Sequence, residues 1–190
     1  FMFAQLDTKS VYSFMDSVVD LNSYVARAKE LGYQALGLMD RDNLYAAYHF
    51  AQLASRNGLR PLIGMEANLF YEGRKIPFRL LAKNNQGYKN LMKLATELSS
   101  GQREFTAFSD YLNAIALILP SEDWEPGMTL GSEVFIGVRP EDVGKEFDYP
   151  VVPLHTVRYF ENADRSTIQM LHAISQNVSL SEASICPMNQ

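Results

Sequence analysis

Ionisable residues stand at the ends of several apolar runs in this chain, and those are the positions where chemistry would collect. In folds that alternate strands and helices, side chains at the carboxyl ends of strands converge where the loops meet. Asp7 and Lys9 follow the first apolar run, and Asp40, Arg41 and Asn43 follow the second. Glu66 lies on the third, His155 and Arg158 follow a late run, and Asp164 stands at the start of the last helical stretch. Asp7, Asp40, Glu66 and Asp164 could form an oxygen-only site of the magnesium type. The competing reading is a set of salt-bridged carboxylates, favoured because Lys9 and Arg41 lie beside the places a metal would take. His155 alone supplies one imidazole, and a polar histidine at a strand end commonly does no more than hydrogen-bond. His49 and His172 fall within helical segments, outside this set. Ser10 and Ser13 have no Gly-x-Ser-x-Gly elbow around them and read as turn-capping hydroxyls.

The elements that position these residues follow a βα pattern. Ala4–Leu6 is a short strand followed by a polar turn. Asp20 caps a helix through Glu30 whose stripe is Leu21, Tyr24, Val25, Ala28 and Leu31, with Gly32 ending it. Ala35–Met39 is a buried strand. Asp42 or Asn43 opens a second helix through about Asn57, with Leu44, Ala47, Tyr48, Ala51 and Ala54 on one face. Pro61–Phe70 and Arg79–Ala82 read as strands, and Gly87–Leu98 as a helix. Ser99–Asp110 is a polar connection, Ala114–Leu119 a strand and Ser121–Gly131 a run of turns. Val134–Val138 is a strand, Pro140 begins a short helix, Val151–Leu154 is a strand and Ala163–Ser175 a closing helix. Tyr24, Tyr48, Phe50 and Tyr88 are expected in the core. The basic residues Arg56, Arg60, Lys83, Lys89 and Lys93 read as scattered solvated charge rather than a DNA-facing patch.

Bulk properties bound the function. The 190 residues fit one domain, 2–175 as core and 176–190 as an irregular tail. A composition of 47% hydrophobic and 21% charged residues is that of a globular protein, and no apolar run approaches the ~20 residues that span a bilayer. No signal peptide is visible, the Phe1 ahead of Met2 reads as an added residue, and the expected location is the cytoplasm. Cys186 is the lone cysteine, which excludes a disulfide framework and a zinc ribbon. A net charge of −5 argues against a free-standing DNA binder.

Several segments in order carry a family resemblance. Ala4-Gln5-Leu6-Asp7-Thr8-Lys9-Ser10-Val11-Tyr12-Ser13-Phe14-Met15-Asp16 resembles the opening of the PHP (polymerase and histidinol phosphatase) domain, in the version at the N-terminus of bacterial DNA polymerase III alpha subunits of the DnaE type. Similar matches are Ala28-Lys29-Glu30-Leu31-Gly32 with Leu38-Met39-Asp40-Arg41-Asp42-Asn43-Leu44, Gly58-Leu59-Arg60-Pro61-Leu62-Ile63-Gly64-Met65-Glu66, Leu80-Leu81-Ala82-Lys83-Asn84-Asn85-Gln86-Gly87-Tyr88-Lys89-Asn90-Leu91 and Val157-Arg158-Tyr159-Phe160. The resemblance implies an α/β fold, a distorted seven-stranded (β/α) barrel of the PHP type, excised from a longer polymerase chain. In active members it implies a metal cluster that hydrolyses phosphate esters.

This sequence departs from the family's ligand pattern. Gln5, Asp7 and Lys9 stand where alternating histidines are usual, Arg41 follows the strand-end aspartate in place of a histidine, and Pro77 replaces another. The late Asn-Asp-x-His element falls at His155-Thr156-x-Arg158, Ile168 replaces a final histidine, and no cysteine stands near Leu119 and Pro120. By the resemblance the ligand pattern survives at Asp40, Glu66 and Asp164. The pocket of Asp7, Lys9, Asp40, Arg41, Glu66, His155, Arg158 and Asp164 is therefore expected to be vestigial, with fixed cations in hydrogen-bonded ion pairs, no catalytic residue, no metal and no cofactor. The domain would be structural in a DNA-directed DNA polymerase, contacting other domains of the parent chain or replisome subunits, with DNA held elsewhere in the parent and no membrane. The alternative is an active phosphoesterase, a 3′–5′ proofreading nuclease or a pyrophosphatase, on a reduced magnesium or manganese site. A free-standing phosphatase of small molecules is disfavoured by Leu81-Ala82-Lys83-Asn84 and Gly87-Tyr88-Lys89-Asn90-Leu91.

Overall fold

A computed structural model describes residues 4–131, 133–161 and 164–181. The strands are β1 (Ala4–Gln5), β2 (Asp7–Thr8), β3 (Ala35–Arg41), β4 (Arg60–Tyr71), β5 (Arg74–Ala82), β6 (Ile115–Pro120), β7 (Val134–Val138), β8 (Val151–Pro153) and β9 (Thr156–Val157). The α-helices are α1 (Leu21–Glu30), α2 (Ala47–Arg56), α3 (Asn85–Ser99) and α4 (Asp164–Gln176). The chain divides into two compact units, one of Phe1–Asp40, Tyr45–Pro61 and His155–Gln190, the other of Arg41–Leu44 and Leu62–Leu154. The fold is mixed α/β, and its principal sheet has seven strands.

In the first unit β1 runs parallel to β3, with Ala4 opposite Ala35, and β2 runs parallel to β9, with Asp7 opposite Thr156. Tyr24 of α1 organises the core of this unit. Its ring stacks 6.0 Å from Phe50 and 6.1 Å from Phe160, and its hydroxyl donates to the Gly37 carbonyl at 2.8 Å while accepting from Thr8 Oγ1. Burial pushes the Tyr24 phenol above its ordinary value, which keeps the hydroxyl a neutral donor. Asp20 caps α1, accepting from Ser23 N at 2.8 Å, and that bond holds the Asp20 carboxyl below its ordinary value. Gly37 must be glycine, because a Cβ there would stand 2.1 Å from the Leu6 carbonyl oxygen.

In the second unit β4 and β5 form an antiparallel hairpin closed by Glu72 at φ 50° and Gly73 at φ 79°. Positive φ at both central positions makes the turn twist with the strands. β6 pairs antiparallel with β5, and the pairings β6 with β7 and β7 with β8 are parallel. Asn84 caps α3, and the core gathers Phe78, Leu91, Leu94, Phe105, Phe108 and Ile136. Among the described residues no helix is long and apolar enough to cross a membrane.

The structure matches the expected Asp20-capped helix, the strand Val134–Val138 and the 3-10 turn begun by Pro140. It corrects others. The expected turn after the first strand is the strand β2, since the partner that pairs with it lies in the distant segment Thr156–Val157. The second helix begins at Ala47, because Asp42 takes φ 56° and donates its backbone N–H to the Glu66 carbonyl at 2.8 Å, a conformation no helix shares. Tyr48 consequently points to solvent while Ala46, Ala47, Phe50 and Ala54 are buried. Leu31 is likewise exposed, as the residue that terminates α1. The strand expected at Arg79 starts at Arg74, with Pro77 inside β5 opposite Asn68, paired across the hairpin with β4. The polar connection contains a 3-10 turn, Phe105–Tyr111, that buries Phe105 and Phe108. Phe1, Met2, Ala163 and Cys186 lie outside the described residues.

Gly37→Ala should therefore destabilise the protein by about 3 kcal/mol or more, the upper end of overpacking costs. Gly32→Ala, at φ 75° with open space around it, should cost only about 1 kcal/mol. Urea denaturation of the two variants measures the difference.

Candidate functional site

In the first unit the short pairing of β2 with β9 fixes Asp7. Lys9 N donates to the Val157 carbonyl at 2.9 Å, which continues the ladder by one residue and swings the lysine side chain back toward Asp7. Lys9 Nζ reaches Asp7 Oδ1 at 2.5 Å with both side chains wholly buried, and Thr156 Oγ1 donates to Asp7 Oδ2 at 2.7 Å. Ser17 Oγ donates to the Lys9 carbonyl at 2.6 Å and thereby ties the following loop to this pair.

Asp40, at the carboxyl end of β3, is held by hydroxyls and an amide. Ser10 N and Ser13 Oγ each donate to Oδ1 at 2.7 Å, and Ser10 Oγ donates to Oδ2 at 2.7 Å. Ser10 and Ser13 are thus anchors of a buried carboxylate, a role beyond the turn capping their sequence context suggested. Asp16 is the buried partner of Arg158, whose Nε lies 3.1 Å from Oδ1, and His172 Nε2 approaches the same oxygen at 3.2 Å. His155 lies beside this set, its carbonyl accepting from Gln5 Nε2 at 2.6 Å. Burial lowers the His155 imidazole from its ordinary value, against the pull of the Asp7 charge. Asp164 is not gathered with these carboxylates: it exchanges bonds with Glu161 at the start of α4.

In the second unit Glu66 is buried in the middle of β4 between two guanidinium groups. Arg41 Nε reaches Oε1 at 2.9 Å and Arg79 Nη2 reaches Oε2 at 3.4 Å, while Arg79 Nη1 donates to the Pro77 carbonyl at 2.6 Å. Beside them Asp42 pairs with Arg103 at 2.8 Å.

A divalent cation needs carboxylate oxygens free to turn toward a common point. Here Asp7 faces an ammonium, Asp40 spends both oxygens on serine donors, and Glu66 faces arginine on each side. Among the described residues no group of three or more histidine, cysteine, aspartate or glutamate side chains could hold a metal ion. The residues present do not fit the metal cluster that the resemblance implies in active members.

Sequence reasoning missed Asp16, Arg79 and His172. Asp16 sits in a loop that no strand-end rule reaches, and Arg79 was assigned to a strand without a role. His172 was set aside as a helical histidine, although its position on the buried side of α4 between Ile168 and Ala173 could have signalled an inward imidazole.

A crystal structure of a protein from Bifidobacterium adolescentis assigned to the metal-dependent phosphoesterases superposes on 98% of this chain and 90% of its own, with a TM-score of 0.50 at 10% identity. This likeness shows the fold. The profile of the PHP domain matches residues 5–176, and the chain belongs to that family. It is 44% identical over its whole length to DNA polymerase III subunit alpha of Streptococcus pyogenes serotype M1, of which it covers 18%. It is 33% identical over 126 residues, 63% of the chain, to the subunit alpha of Bacillus subtilis, of which it covers 11%. The chain therefore spans under a fifth of the length of these relatives.

Two outcomes follow from the first-unit geometry. Lys9→Met leaves the Asp7 carboxylate buried without its ammonium and should cost about 3–5 kcal/mol, of which the added change Asp7→Asn recovers more than half; urea unfolding of the single and double variants is the measurement. For His155 the folded value lies below the unfolded 6.5, so between them the unfolded chain binds the extra proton. The stability tied to neutral His155 is complete above pH 6.5 and is lost as the pH falls below it. His155→Asn should flatten that slope in unfolding curves taken from pH 7.5 to pH 5.

Proposed function

We propose that this chain is the N-terminal PHP domain of a bacterial replicative DNA polymerase III alpha subunit, that it carries no hydrolytic activity of its own, and that its role is architectural within the cytoplasmic polymerase. The observation that carries the loss of activity is the occupation of the carboxylates by protein donors: Lys9 on Asp7, serines on Asp40 and arginines on Glu66. Phosphoester hydrolysis by this class of site needs a metal to polarise the phosphoryl oxygen and to generate hydroxide at neutral pH. A fixed ammonium or guanidinium can neutralise a carboxylate but cannot acidify a water in this way. The kinship with polymerase subunits about five times longer supports a parent that performs DNA-templated DNA synthesis, with its other domains as the contacts of this one.

The purified chain, dialysed with excess manganese, should retain no stoichiometric manganese, zinc or iron by plasma mass spectrometry. It should also release no nucleotide from a 3′-labelled oligonucleotide and no phosphate from pyrophosphate. Metal-dependent release abolished by both Glu66→Ala and Asp40→Ala would overturn the reading and establish an active phosphoesterase.

A further inference from the structure

The second unit carries an open groove of about 930 Å³ that follows the 3-10 turn Phe105–Tyr111. At one end of that turn Phe70 N donates to the Arg103 carbonyl at 2.7 Å and Glu104 is bridged to Phe70. At the other end Lys83 N donates to the Ala114 carbonyl at 3.0 Å. The groove has a structural origin in the joining of β6 to β7. These strands run parallel, and parallel neighbours are usually joined by a helix that covers the sheet. Among its described residues the connection from Ser121 to Glu133 forms no α-helix, only the short turn Ser121–Asp123.

The charge along the groove selects its ligand. Glu72, Glu104 and Glu133 line it, with Lys83 as the one cation among its lining residues. Lys83 Nζ holds Glu133 Oε1 at 2.5 Å, while Glu72 and Glu104 make no ion pair with any described residue. Two carboxylates are therefore left over at the end where the Phe70 ring is 38% exposed. An anion or a nucleic-acid strand would be repelled there, and an apolar ligand would strip water from two carboxylates without replacing it. A divalent metal ion needs more oxygen ligands, and no group of three or more metal-binding side chains occurs among the described residues. Carboxylates beside an aromatic ring suit an organic ammonium ion, whose charge they neutralise and whose methylene groups pack on the ring.

We infer that this groove binds a linear aliphatic polyamine. One ammonium meets Glu72 and Glu104 beside Phe70, the methylene chain passes Leu112 and Ala114, and a further ammonium reaches Glu133 at the oxygen that Lys83 leaves. Lys83, an ammonium on a four-carbon stem, already makes that type of contact on the groove wall. The inference stands apart from the reading of the buried carboxylates, since the groove shares no residue with them.

The test is calorimetric titration of the whole chain with spermidine at about 0.15 M salt. One saturable site is expected, with a Kd below about 1 mM. Glu72→Gln and Glu104→Gln should each weaken it about three- to fivefold, and Phe70→Leu about threefold. Glu146→Gln makes the same change of charge at an exposed position outside the groove and should bind as the unaltered chain does. Circular dichroism of each variant checks that the fold is kept. Absence of a saturable site, an equal loss in Glu146→Gln, or displacement of spermidine by magnesium at matched ionic strength would each overturn the proposal. Tighter binding of a tetralysine peptide, lost in the same variants, would overturn it in favour of a polypeptide ligand.

Discussion

The Lys9–Asp7 pair constrains the first unit more than any other contact, since two full charges are held together entirely out of water. Removing each ion from solvent costs several kcal/mol, and attraction repays this only where geometry is fixed and the remaining donors and acceptors are satisfied. Both conditions are met by backbone. The pairing of β2 with β9 sets the height of Asp7 and brings Thr156 to its second oxygen, while the Ser17 hydroxyl donates to the Lys9 carbonyl and closes the loop. The opening segment of the chain and a segment about 150 residues later are thus fixed by one electrostatic need. A slip of one residue in that pairing would turn Asp7 away from its cation.

The carboxylates are satisfied by different chemistries, and that diversity is informative. A metal cluster serves several carboxylates through one shared centre, so losing the centre exposes all of them to repulsion. Here each carboxylate has its own local solution: an ammonium for Asp7, hydroxyls and an amide for Asp40, guanidinium groups for Glu66, and Arg158 with His172 for Asp16. Independent solutions can arise one substitution at a time, whereas a cluster fails whole. Asp40 also shows that a buried aspartate need not be matched by a cation when three short donors converge on it.

How much of this could be read from the sequence depends on how local each cause is. α1 was legible because its cap, its stripe and its terminal Gly32 all lie within a dozen residues. The start of α2 was not, because Asp42 is drawn out of helical geometry by bonds to Glu66 and Arg103, far along the chain. The hairpin of β4 and β5 was hidden by a turn of Glu72 and Gly73 that lacks the usual asparagine or aspartate. Among the site residues, Asp7, Asp40 and Glu66 could be picked from strand positions, and Lys9 and Arg41 as their neighbours. Asp16 could not, since only the fold brings α4 against the loop after β2, and the helical spacing of His172 could suggest an inward ring but not its partner.

Exposure separates the ion pairs by the work each must do. The Arg41 side chain is 38% exposed, so water shares its charge and its bond to Glu66 is only partly a buried one. Arg79, at 8%, completes that carboxylate from inside, and its second nitrogen is spent on the Pro77 carbonyl. Proline at that place is consistent with the arrangement, since its carbonyl accepts from the guanidinium without bringing a competing backbone donor. Lys9 has no such sharing with solvent. A lysine ammonium is a compact point charge on a flexible stem, and fixing it removes up to about 2 kcal/mol of rotamer freedom. Its retention in a wholly buried position follows if neutralising Asp7 is a condition for packing the segment at all.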